Sequence, residues 1–156
     1  MDAGGLAKLI GIDVLVIIVM ALVIGLPAPH WPKSWLVEDR GPLHLTRVDK
    51  VEFYRDLRVS TLIRVLPEGG SWAGGDSKSS LPGTDTESLI DYLIEVRRAE
   101  WVHTLMAFAW VPLIFFNPMW LWMFFAAGVI FINLMFWLVL RYNRVRIVRI
   151  LDKRAA

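Results

Sequence analysis

Glu95-Val-Arg-Arg-Ala-Glu-Trp-Val-His103 runs without a break into an apolar stretch that ends at Asn117-Pro118. The chain then returns through a second apolar stretch and leaves it as Arg141-Tyr-Asn-Arg144. Proline lacks an N–H and pushes the residue before it out of helical geometry, so Asn117-Pro118 reads as a turn. A turn this short makes the two apolar stretches antiparallel neighbours. The hairpin therefore gathers carboxylates, arginines and a histidine at one end, at the level where lipid headgroups would lie.

Composition points the same way. The chain has 156 residues, a length that suits one domain. Its apolar content is 56% with Gly left out, against roughly 45–50% with Gly included in ordinary soluble domains. The mean hydropathy is +0.50. The expected fold is an all-α integral membrane protein, a single membrane domain over residues 1–156 with about three transmembrane helices and a cytoplasmic interfacial amphipathic helix. A net charge of +2 is too small to suggest a nucleic-acid partner. The absence of cysteine excludes disulfides, thiolate nucleophiles and cysteine-held metals.

Three spans follow from hydropathy. The first covers roughly 9–26, is interrupted by Asp13 and is stopped by Pro27 and Pro29. It has about the length a spanning helix needs and only Lys8 as a basic flank, which favours an uncleaved span over a signal peptide. The second, roughly 101–116, is short, but Thr84-Asp-Thr-Glu87 has capping-box spacing. One continuous helix over 85–116 would rise roughly 45 Å at 1.5 Å per residue. The third covers roughly 119–140, and a basic tail occupies 141–156. Ala126-Ala-Gly128 on the third span suits close helix contact, within the chain or with another copy, so the oligomeric state stays open.

Orientation follows from lysine and arginine. The hairpin turn has no charge, while the tail carries Arg141, Arg144, Arg146, Arg149, Lys153 and Arg154. The positive-inside rule then places the 27–100 segment and the tail in the cytoplasm, with the N-terminus outside a multi-pass cell-membrane protein. Trp31, Trp35 and Trp101 fall at the cytoplasmic edges, and Trp120 and Trp122 near the outer one.

The 27–84 segment is rich in Pro, Gly and Ser and does not read as a separate globular domain. Thr46-Arg-Val-Asp49 predicts a helix start, and Val48, Val51, Tyr54, Leu57, Thr61 and Leu62 then fall on or near one face, as in a helix lying in the membrane surface or an amphipathic helix packed on the other helices, two compatible readings. The run from Leu66-Pro67 to Ser80 is glycine-rich. It reads either as a flexible loop or as one whose N–H groups, with Lys78, hold an anion. It lacks the spacing of a Walker A loop.

Glu100 and His103 are three apart and share a helix face. The spacing also occurs in di-metal carboxylate sites, but those need a second such motif and two more glutamates, so no metal is expected. The functional reading is acid–base chemistry, with His103 as base and Glu100 as the residue that orients it. Arg97 would hold Glu100 ionised. Arg98, Arg141 and Arg144 would clamp an anionic group, with Tyr142 and Asn143 beside them. The alternative for the arginines is anchoring, with long side chains snorkelling to phosphates. Asn133 is expected to bond across helices. Asp13 has no evident partner, since orientation places it on the far side from the arginines.

The segment Glu95–His103, the Phe115-Phe-Asn-Pro118 turn and Arg141-Tyr-Asn-Arg144 with its basic tail resemble the glycosyl-4,4′-diaponeurosporenoate acyltransferase family. The resemblance extends upstream through Leu66-Pro67 and Gly74-Gly-Asp-Ser-Lys78 and covers roughly residues 53–154. It implies a small membrane enzyme that transfers a fatty acyl chain to a sugar hydroxyl of a carotenoid glycoside. The chain departs from the family pattern at Leu62-Ile63-Arg64, where Trp-Lys-Asp is usual, and at Thr104, where Trp often follows the histidine. The aspartate of the His-x-x-x-x-Asp acyltransferase box is absent, with Phe108 in its place.

The expectation is acyl transfer to a hydroxyl of a glycolipid or glycosylated isoprenoid at the cytoplasmic face. His103 and Glu100 would be catalytic, and Lys78, Arg97, Arg98, Arg141, Tyr142, Asn143 and Arg144 would bind substrate. No cofactor is expected, acyl-CoA being the acyl donor, and the partners are membrane lipids and the lipid acceptor. The alternative is a non-catalytic lipid-binding or scaffold subunit with a membrane-protein partner.

Overall fold

A computed structural model describes residues 2–65 and 85–155. All regular elements among them are helical. Helix α1 spans Ala3–Gly25, α2 Val51–Asp56, α3 Val59–Val65, α4 Thr86–Met106 and α5 Met119–Ala155. Two stretches, Ala3–His30 and Met119–Ala155, are long and apolar enough to cross a membrane. Their apolar side chains stand exposed, among them Leu15, Val23, Phe124 and Phe131. Exposure of that kind on a spanning-length helix is the surface that hydrocarbon would cover.

Helix α1 starts where the Asp2 side chain accepts the Gly5 N–H at 3.0 Å. It ends against a proline-rich segment with short 3₁₀ turns at Ala28–His30, Lys33–Trp35 and Gly41–Leu43. Pro29 and Pro42 sit at the first turns of two of these, where a missing N–H costs nothing. Gly41 has φ +55°, a conformation that side chains rarely adopt, and the Trp101 ring lies 3.7 Å from where a Cβ would stand.

The helix expected to start at Thr46 is two shorter ones. Asp49 folds back on Thr46, accepting both its N–H and its hydroxyl at 2.7 Å. Helical structure therefore begins only at Val51. Arg58, at φ +54°, separates α2 from α3. Tyr54 and Val59 form a core with Val139 and Val145 of α5, so α2 and α3 lie on α5.

Helix α4 is capped by Asp85, which accepts the Ser88 N–H at 2.9 Å. Thr84 of the expected capping box lies outside the described residues. Leu89, Tyr92, Leu93 and Val96 recur at helical spacing and pack with Leu140 and Ile147 of α5. The lower half of α5 is thus covered by α4 on one side and by α2 and α3 on another.

The long helix is corrected as well. Residues 85–116 are not one helix, because α4 stops at Met106 and a 3₁₀ segment follows at Val111–Phe115. Pro112 keeps an α-helix from running through that segment, since it has no N–H to donate and its ring would clash with the carbonyl four residues back. Trp110 stacks on Trp122 at 5.5 Å and 10°, joining this segment to α5.

Candidate functional site

The hairpin does bring its two charged clusters together. Glu100 of α4 is fully buried, and its Oε2 lies 3.5 Å from Arg141 Nη1 and 3.4 Å from Arg144 Nη1. Segment 39–49 closes the cluster from outside the hairpin. Arg141 donates from Nε to Asp49 Oδ1 and from Nη2 to Asp49 Oδ2, both at 3.1 Å. It also donates to the carbonyls of Leu43, at 2.8 Å, and His44. Arg144 donates to the Leu43 carbonyl and, at 3.2 Å, to Asp39 Oδ1. Arg97 donates to the same Asp39 oxygen at 2.7 Å. The Arg141 guanidinium lies 5.0 Å from the Trp137 ring centroid.

Three carboxylates, Asp39, Asp49 and Glu100, thus face three guanidiniums, Arg97, Arg141 and Arg144. Balance of this kind is what permits burial, since an unpaired ion in a dry interior is heavily penalised. Burial pushes the Asp49 carboxyl up, but hydrogen bonds from Arg141, Tyr54 and Thr46 outweigh it and hold the group well below the usual carboxylate range. Burial and the bond to Asp49 hold the Tyr54 phenol well above its ordinary value. Glu100 differs. Burial pushes it up to about 7 against the pull of Arg144 and Arg141, and neither of its oxygens has a hydrogen bond.

These contacts revise the expected roles. Arg141 and Arg144 are neither snorkelling anchors nor an open anion clamp. They are buried, and most of their donors go to Asp39, Asp49 and the carbonyls of residues 42–44, although Arg144 Nε has no hydrogen bond. Arg97 pairs with Asp39 rather than with Glu100, and Arg98 pairs with Glu95 on its own helix. Tyr142 packs in the α2–α3–α5 core under the Arg146 guanidinium, and Asn143 is buried with its Nδ2 unpartnered. Lys78 lies outside the described residues.

His103 sits apart from this cluster. The partner of its Nδ1 is Asn133 Oδ1, at 2.9 Å, and its ring stacks on Phe136 with centroids 4.8 Å apart and planes 9° apart. Glu100 faces Arg141 and Arg144 instead. Asn133 is buried and donates from Nδ2 to the Val129 carbonyl at 2.9 Å. The expected bond from Asn133 across the helices therefore exists, and its partner is the histidine.

Asp13 also has a partner. The Asn117 amide donates to its Oδ1 at 2.7 Å, so the buried carboxylate of α1 is held by the hairpin turn. No curated protein and no solved structure matches the chain. Residues 32–153 match the model of the family described as glycosyl-4,4′-diaponeurosporenoate acyltransferase, a range that starts just before the Lys33–Trp35 turn and ends two residues short of the end of α5. The chain belongs to that family.

Proposed function

We propose that the protein is a membrane acyltransferase that esterifies a hydroxyl of a glycolipid or glycosylated isoprenoid at the cytoplasmic face. The reading is carried by the family match across residues 32–153, which encloses a histidine held on the apolar part of the hairpin. In this reading α1 and α5 cross the membrane, the hairpin turn faces outward, and the Arg141 layer marks the cytoplasmic edge. His103 is opposite Asn133, which is eight residues above Arg141 on α5, roughly 12 Å at 1.5 Å per residue. That is a depth for an ester carbonyl rather than for a headgroup.

An acyl thioester such as acyl-CoA is the donor. A notch of about 330 Å³ on α5 is lined by Phe124, Phe125, Ala127, Gly128, Val129 and Ile132, one turn from Asn133. It would take the acyl chain. Arg97, Arg98, Arg141 and Arg144 already have acidic partners, which leaves Lys78 of the expected set to hold the donor's phosphates. The acceptor oxygen bonds to the thioester carbonyl carbon while its proton passes to His103. The carbon–sulfur bond then breaks, and the departing thiolate takes that proton from the imidazolium.

The purified protein, given labelled palmitoyl-CoA and a native membrane lipid extract, is expected to yield a labelled lipid ester by mass spectrometry. Absence of any ester, with stable capture of a membrane-protein partner instead, would favour the scaffold reading.

A further inference from the structure

We infer that Asn133 is the positioning residue of His103, holding its neutral imidazole as the Nδ1–H tautomer and thereby making Nε2 the basic nitrogen. An amide has a donor end and an acceptor end, and the Val129 carbonyl fixes which is which. That carbonyl can only accept, so the nitrogen of Asn133 faces it, at 2.9 Å. The oxygen then faces His103 at 2.9 Å and can only accept, so Nδ1 carries the hydrogen. In a neutral imidazole the lone pair then lies on Nε2.

The ring plane is fixed as well. Phe136 follows Asn133 by one turn of α5 and stacks on the imidazole face. One helix thus sets both the edge and the face of a ring carried by another. Asn133 is 8% exposed, so water competes little for its oxygen. An amide suits this place because it orients the ring without leaving a second carboxylate in the apolar half of the hairpin. Glu100, the sequence-based candidate for the orienting role, is engaged with Arg141 and Arg144.

The catalytic half of this inference rests on the base role proposed for His103, whereas the tautomer does not. The test is ¹⁵N NMR of histidine-labelled protein, with the His103 signals assigned by difference against His103→Gln, run beside transfer from palmitoyl-CoA to membrane lipid extract. In the wild type, His103 is expected to show a protonated Nδ1 and an unprotonated Nε2. Asn133→Ala should lose that preference and slow turnover roughly tenfold, the order expected for one lost hydrogen bond, with little change in KM. Asn133→Asp keeps an acceptor and should keep the tautomer. An Nε2–H tautomer in the wild type overturns the inference without recourse to any variant. Full transfer by Asn133→Ala, with transfer lost in His103→Ala, overturns the positioning role alone. Full transfer in both overturns the base reading and the positioning role together.

Discussion

Arg141 closes on Asp49 with a two-pronged contact, Nε to Oδ1 and Nη2 to Oδ2, each 3.1 Å long. The two residues are 92 positions apart, and their side chains are 3% and 6% exposed. The pair ties the segment before α2 to the middle of α5.

Arg141→Met should therefore destabilise strongly. It leaves Asp49 buried without its main partner and frees the His44 carbonyl, while the Leu43 carbonyl keeps Arg144. Removing one member of a buried pair typically costs about 3–5 kcal/mol. Arg141→Lys should recover only part of this, since an ammonium cannot reproduce the two-pronged geometry. Thermal unfolding in detergent measures both. A variant with an unchanged midpoint would mean the contact does not hold the fold.

Glu100 should make stability depend on pH in an unusual direction. Its carboxyl is raised from 4.5 to about 7, burial outweighing Arg144 and Arg141. A raised group favours folding below its unfolded value, and that contribution is lost as pH rises through the folded value. Stability attributable to Glu100 should thus fall between about pH 4.5 and 7 and then level off. Asp49 works in the opposite sense, its lowered value giving stability that is lost only in strong acid. Thermal midpoints across pH 4–8 should show a decline in the wild type and a flatter profile in Glu100→Gln. Identical slopes would contradict the assignment.

The Asp13–Asn117 bond predicts how α1 docks. Asp13→Leu leaves the Asn117 amide without its acceptor and should cost about 1–3 kcal/mol. The chain has no cysteine, so Asp13→Cys with Asn117→Cys introduces the only thiol pair. A short bifunctional thiol reagent should cross-link that pair within one chain in membranes, while Lys8→Cys with Asn117→Cys should not react. Failure of the first pair would show that α1 docks elsewhere.

Local signals carried the helical framework. The apolar runs, the turn at Asn117-Pro118 and the apolar stripe of Leu89, Leu93 and Ile94 were legible because each depends on near neighbours, although Ile90, expected on the same stripe, is exposed. The expected helix over 85–116 passed over Pro112, which stands in the first turn of the 3₁₀ segment Val111–Phe115. The Thr46–Asp49 spacing misled because Asp49 serves a turn and Arg141 together. The partners of the arginines were not legible. Asp39 reaches Arg144 across 105 positions, and nothing in the local pattern around Val37-Glu38-Asp39 marks it as the partner of two arginines. Asn133 was read as bonding across helices, but which side chain it meets depends on the rotation of α5 against α4.

The central claim is that His103 supplies the base for acyl transfer, and the direct test is the turnover of His103→Ala with labelled palmitoyl-CoA and native membrane lipids. His103 is half-buried and outside the Asp39–Asp49–Glu100 ion cluster, so the variant should fold. General-base help is typically worth about 10²–10⁴ in rate. The account predicts a loss of that order in lipid-ester formation, with the unfolding midpoint little changed. Near-normal turnover by folded His103→Ala would contradict it.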